Sequence, residues 1–397
     1  MKLLFDATEL SYYNDNSGHR AGVFHVALNV LREFIKSGVD ITLQCDYRRY
    51  YFLKNTDEFK NLPLLEEHSL INKFWGKLLY FTDKFPIRFK YGIIILTRFY
   101  DAWFYKNNSK NQEQLKIFDA YFSPYTPPSK EIAESELKKF RVIHDTIPVI
   151  DSGLPKSPKD WYYKIYSTIN NKEYYFTDSE STRYDVIKYF DVTPENLKTA
   201  LLGVSENFYP DYEDAPIKEK YVFSLCTLGK RKNLEFSIRN FFNFIGKNKI
   251  DDLKLVLGGS IWEKYKKDLN NILNKYDRSK VILTGYISDN ELKKYYSNAM
   301  MFIFPSLYEG FGLPVLEAMA CGCPVITSKT SSLPEVIGDA GIKINPESDE
   351  EMVEAFERMY FDNIFRALCS EQGLNRAKLF RWDKYANEIM EFIASKL

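Results

Sequence analysis

Short apolar runs recur along this chain, each followed by a segment with helical spacing, and this alternation most constrains how it can fold. A strand with parallel neighbours is buried on both faces, so it reads as a continuous apolar run. In the first half the runs are Lys2–Phe5, Ile41–Cys45, Phe118–Ser123, Phe140–His144, Tyr174–Thr177 and Lys198–Leu202. Between the first two, Phe24–Ile35 carries Val26, Ala27, Val30, Leu31 and Phe34 at helical spacing, and Gly38 stops it. Ser179 or Ser181 is placed to cap a helix over Thr182–Phe190. In the second half the runs are Tyr221–Cys226, Lys254–Leu257, Val281–Thr284, Met301–Phe304 and Pro324–Thr327. Strands alternating with helices predict an α/β chain with parallel sheets under helical cover.

The alternation breaks at 209–220, which holds Pro210, Pro216 and four acidic residues. This stretch reads as a linker between a domain over 1–208 and a second over 221–375, with 376–397 a closing helical segment. A chain of 397 residues suits two domains. In open parallel sheets ligands bind beyond the carboxyl ends of the strands, and two such domains leave a cleft.

Charge and cysteine usage remove several classes. Lys+Arg and Asp+Glu both number 54, so no overall field draws the chain onto nucleic acid. The five cysteines form no paired spacing and the four histidines are scattered, which argues against a zinc site or a disulfide framework. Asp6 interrupts the first apolar run at once, unlike a signal peptide. The run Ile93–Leu96 is far short of the ~20 residues of a membrane span. The expectation is a cytoplasmic chain whose membrane contact, if any, is peripheral at the inner face. An aromatic and basic stretch over 70–107 fits either such a face or, more simply, packed helices with surface cations.

The chemistry concentrates in Phe304–Ala320, which leaves a strand and opens a helix. Gly310 and Gly312 uncover backbone N–H groups, and Pro314 suits a first helical turn. A helix N-terminus of this kind takes an anion such as a diphosphate. Glu309 and Glu317 flank it, and carboxylates accept hydrogen bonds from vicinal hydroxyls. Ribose, diphosphate and hexose in a row, a nucleotide-sugar, match that layout. The plain alternative is a helix-capping acid and a surface acid. A second candidate is the basic segment Lys230-Arg231-Lys232 past the end of a strand, where cations neutralise a leaving diphosphate, or else form a solvated turn.

The Phe304–Ala320 segment resembles the E-x7-E signature of the GT4 family of glycosyltransferases. Their GT-B fold sets two Rossmann-like domains facing across a cleft. Asp119–Pro124, Val142–Pro148, Thr177–Arg183 and Gly203–Pro210 resemble further family blocks in family order, and the likeness is weakest over 46–115. The resemblance implies that Glu309 contacts the donor sugar and Glu317 the ribose. Gly310, Phe311, Gly312 and Leu313 would line the sugar and phosphates. Lys232 would bind the diphosphate. An arginine usual about six residues earlier is replaced by Cys226, which leaves its role to Arg231 or unfilled. His144 would face the sugar across the cleft. Gly18 and Gly22 would form a glycine-rich turn near phosphate and acceptor, with His19 and Arg20 beside it. Gly258-Gly259 would line the base pocket, while Glu335 reads as a helix cap.

The implied reaction moves a hexose, with mannose favoured, from a GDP- or UDP-linked donor to a glycan or lipid-linked hydroxyl. It would retain configuration, need no cofactor or metal, and serve bacterial surface-polysaccharide assembly. A sugar-nucleotide epimerase or phosphorylase, or a non-catalytic nucleotide-sugar-binding subunit, are the rival readings.

Overall fold

A computed structural model describes residues 1–12, 22–45, 53–54, 56–65, 74, 112–153, 157, 161–225, 230–259 and 263–397. Gly18, His19, Arg20, Cys226, Thr227–Gly229 and all but one residue of the 70–107 stretch lie outside these.

Six parallel strands form the first sheet: β1 Lys2–Asp6, β2 Asp40–Gln44, β3 Ala120–Ser123, β4 Lys138–Ile143, β5 Tyr174–Thr177 and β6 Leu197–Thr199. Their order is β2-β1-β3-β4-β5-β6. The second sheet has β7 Lys220–Leu225, β8 Leu253–Gly258, β9 Val281–Gly285, β10 Met301–Phe304, β11 Val325–Ser328 and β12 Gly341–Ile344. Read from one edge it runs β9-β8-β7-β10-β11-β12, again all parallel, which is the order of dinucleotide-binding sheets. The direction of winding reverses between β7 and β10, and there the loops diverge to leave a crevice.

The central strands are apolar end to end because both faces are covered. β10 reads MFIF, every side chain buried. Helix α1, Gly22–Lys36, buries Phe24, Val26, Ala27, Leu28, Val30, Leu31 and Phe34 on one face. Six further helices shape the site and its supports: α2 Glu180–Tyr189, α3 Leu234–Asn248, α4 Asp289–Ser297, α5 Leu313–Ala320, α6 Leu333–Ile337 and α7 Trp382–Lys396. Ser179, not Ser181, caps α2: its hydroxyl accepts from the Thr182 N–H at 3.1 Å.

The linker packs against α4, where Ser297 Oγ accepts from the Asp211 N–H at 2.9 Å and Lys293 lies 3.3 Å from the Asp211 carboxylate. Past the second domain, α7 returns to the first. Tyr385, Ala386, Ile389 and Ile393 are fully buried, the Phe392 ring meets Phe140 and Phe176, and Lys138 reaches the Lys396 carbonyl. One cluster of buried side chains therefore runs from Leu3 through Phe311 to Ile393. One strand escaped the sequence reading: β12, Gly-Ile-Lys-Ile, is a four-residue edge strand with only Ile344 buried.

Candidate active site

Glu309 is the hub. It lies in the loop between β10 and α5, at the reversal point of the second sheet. Its carboxylate is bracketed by two cations that follow β7: Arg231 Nη1 is 2.7 Å from Oε2 and Lys232 Nζ 2.6 Å from Oε1. Ser306 Oγ donates to Oε1 at 2.5 Å. Burial pushes the carboxyl up, but the charges of Lys232 and Arg231 outweigh it and hold Glu309 below its usual range. Arg231 also donates to the Tyr308 carbonyl, and Lys232 sits 4.7 Å from the centre of the Phe304 ring. Among the described residues no three His, Cys, Asp or Glu side chains converge as a metal site would need.

The backbone after Glu309 is held from both domains. Ser331 Oγ accepts the Glu309 N–H at 2.9 Å, and Ser332 Oγ lies 2.9 and 2.7 Å from the Glu309 and Phe311 carbonyls. From the first domain, Ser179 Oγ and Thr182 Oγ1 donate to the Gly310 carbonyl at 2.6 and 3.2 Å. Two glycines make this possible. A Cβ on Gly310 would stand 2.1 Å from the His144 carbonyl oxygen. Gly312 caps α5 with φ +114°, a backbone that side chains rarely adopt. Pro314 follows in the first turn of α5. Leu313 opens that helix and faces Gly22, the first residue of α1, whose Cβ would meet Leu313 Cδ1 at 3.7 Å. The N-termini of α5 and α1 thus approach each other across the cleft.

Glu317 sits one turn deeper in α5, where Tyr296 Oη donates to Oε2 at 3.2 Å. Burial, then the nearby Asp289 carboxylate, pushes its carboxyl up to about 8. It borders a cavity of about 350 Å³ between the domains, lined also by His25, Asn29, Arg32, Asp289 and Trp382.

His144 follows β4. Its Nδ1 is 2.6 Å from Asp178 Oδ2 and its Nε2 2.8 Å from the Pro124 carbonyl. The Pro124 carbonyl can only accept and the Asp178 carboxylate accepts when ionised, an arrangement that favours a proton on each ring nitrogen. Burial opposes that charge, but Asp178 and the Pro124 carbonyl outweigh it and raise the pKa. Tyr385 of α7 reaches the other Asp178 oxygen at 3.4 Å. The histidine anticipated as a donor contact therefore has both ring nitrogens engaged with the protein. Its neighbour Asp145 faces Arg231 and Glu309, and burial raises its pKa.

Of the remaining expected contacts, Gly258 has a packing reason of its own: the space beside it is filled by Ile287, Phe223 and Leu225. Glu335 caps a helix, but the helix belongs to the opposite domain. Its Oε2 and Oε1 accept the N–H groups of Glu180 and Ser181, each at 2.8 Å. The sequence reading missed Ser306, which bonds Glu309 within the same loop, and Ser331, Ser332 and Asp178, whose partners lie in other segments.

Comparison with known proteins places part of the chain beside a known family. Residues 207–376 match the family model described as glycosyl transferases group 1. O-antigen chain mannosyltransferase B of Escherichia coli is 29% identical over 229 residues, covering 55% of this chain and 60% of that protein. Serotype-specific mannosyltransferase WbdA of Escherichia coli is 28% identical over 266 residues, covering 63% of this chain and 32% of that protein. The chain thus matches less than two thirds of either relative. Sucrose-phosphate synthase from Thermosynechococcus elongatus shares the fold at a TM-score of 0.68 and 17% identity, over 100% of this chain and 99% of that one. The fold is GT-B.

Proposed function

We propose, on the premise that residues 207–376 are a group 1 glycosyl transferase domain, that this chain is a retaining glycosyltransferase using a nucleotide-diphosphate sugar. The observation that carries the reading is the pair Arg231 and Lys232 sharing the single Glu309 carboxylate at the reversal point of the sheet. A diphosphate entering there competes for both cations and frees Glu309 to accept hydrogen bonds from sugar hydroxyls. Arg231 and Lys232 then stabilise charge as it develops on the departing diphosphate, with the N-termini of α5 and α1 adding partial positive charge. The amides of Gly310, Phe311 and Gly312, with Leu313, line the same region. Glu317, protonated near neutrality, presents a donor as well as acceptors to the ribose, and the cavity beside it is of a size to hold the nucleoside. His144, its pKa raised by Asp178, favours positive charge at the sugar end. The leaving group is neutralised by side chains, so no metal or cofactor is required.

The two mannosyltransferase relatives favour mannose as the sugar, hence a GDP-linked donor, with UDP-linked donors next. A glycan or lipid-linked hydroxyl in surface-polysaccharide assembly is the acceptor, which puts the reaction at the cytoplasmic face of a membrane. No helix among the described residues is long and apolar enough to cross one.

The test is nucleotide diphosphate release from a panel of GDP- and UDP-sugars with EDTA present. Release from one donor, reduced about 10²–10³-fold in Lys232→Ala, is expected. No release and no donor-induced thermal shift across the panel would sink the reading. Loss of release on adding EDTA would overturn metal independence.

A further inference from the structure

An α-helix begins with four N–H groups that lack partners within the helix. In α2 three of these, on Glu180, Ser181 and Thr182, have identified partners, and two are satisfied from the other domain. Ser179 takes the Thr182 N–H with its hydroxyl, while its carbonyl accepts the first regular helical bond, from the Arg183 N–H. The remaining two, on Glu180 and Ser181, go one to each oxygen of Glu335, more than 150 residues away in sequence. A carboxylate at this end of a helix gains from the helix dipole as well as from the two hydrogen bonds. The same helix carries two more contacts across the cleft. Asp185 accepts from the Tyr308 hydroxyl, and Thr182, with the capping Ser179, donates to the Gly310 carbonyl. On its own side Glu335 is anchored: Arg376 donates to the Glu335 and Val336 carbonyls at 2.6 and 3.1 Å, and Ser332, just before α6, turns its hydroxyl to the loop after Glu309.

We propose that Glu335 is the latch of domain closure and a positioning residue for the donor loop. Closing seats the N-terminus of α2 on the Glu335 carboxylate, and α2, so seated, brings Ser179 and Thr182 onto the Gly310 carbonyl. When the domains part, the two N–H groups of α2 pass to water and the Gly310 carbonyl loses both donors from the first domain. The Glu335 carboxylate acts on the site around Glu309 through α2. Its effect on turnover rests on the glycosyltransfer reading; the latch does not.

The test uses the full chain with one label on each domain and measures the interdomain distance distribution without ligand. Two variants reach the latch from opposite sides. Glu335→Gln turns an amide N–H2 toward one of the two N–H groups. Glu180→Pro removes one N–H while sparing the helix, because proline is favoured at the first helical position and the preceding Ser179 is extended, at φ −150° and ψ 158°. A closed-to-open ratio about tenfold lower in Glu335→Gln, and lowered by less in Glu180→Pro, is expected, since hydrogen bonds to charged groups carry that order of energy. If Glu335→Gln fails to fold, Glu180→Pro decides. Unchanged distances in both variants, or a wild type already open, overturn the latch. With the donor found by diphosphate release, KM for that donor rises about tenfold while kcat changes less. A distance shift in a chain that turns over no donor keeps the latch and removes the glycosyltransfer reading. Normal turnover with unshifted distances does the reverse.

Discussion

Two ionisable side chains carry pH dependence that follows from their surroundings. Burial and Asp289 raise Glu317 from 4.5 to about 8, so folding favours its protonated form. Between those values the unfolded chain has lost the proton and the folded chain has kept it, so stability falls as pH rises. Wild type is expected to lose more Tm than Glu317→Gln between pH 5 and pH 8; parallel melting profiles would refute the assignment. His144 is raised for a different reason. Burial works against its charge, and Asp178 more than compensates. Its stabilisation is complete below 6.5 and is lost as pH rises through the folded value. Asp178→Asn should therefore cost most Tm near pH 6 and least near pH 9, and a difference independent of pH would mean a neutral ring. The sequence placed Glu309, Glu317 and His144 because each sits inside a contiguous block. It left Asp178 unassigned, since nothing local says that a carboxylate 34 positions from His144 will bond its ring.

At the level of elements, the loop after β10 is legible because strand, glycines, proline and helix follow without interruption. Contacts between elements are less so. Glu335 announces itself as a helix cap, but its own helix α6 is only five residues long, and the helix it caps is α2, across the cleft. β12 stayed hidden because an edge strand of four residues with one buried side chain leaves no apolar run. The tight seating of the donor loop also gives a sharp prediction. Gly310→Ala drives a methyl into the His144 carbonyl, and the backbone between them must part. Diphosphate release should drop about 10²-fold, as for a displacement of about 1 Å at a reacting centre, with the far-UV circular dichroism unchanged. A variant as active as wild type would show that turnover does not use this closed arrangement.

In the whole molecule, one of the buried clusters spans both domains, while others belong to one domain alone. The break at 209–220 marks where the second sheet begins, but it does not divide the core, because α7 crosses back and packs on α1 and the first sheet. Ile389 is fully buried in that seam, and Ile389→Ala is expected to destabilise by about 2–5 kcal/mol. A single cooperative transition at lower Tm is the expected scan, since α7 and the cluster it completes tie the two domains together. An unaltered main transition preceded by a small early one would mean that the domains melt separately.

That return path has a consequence during synthesis. The domain made first is completed last, because the apolar face of α1 waits for Tyr385, Ile389 and Ile393. At roughly 5–20 residues per second, ribosomes take about 10–40 s to travel from the end of the first domain to the end of α7. For that interval the nascent chain carries an uncovered greasy surface. Chaperone demand should therefore be set by translation speed through the second half of the message.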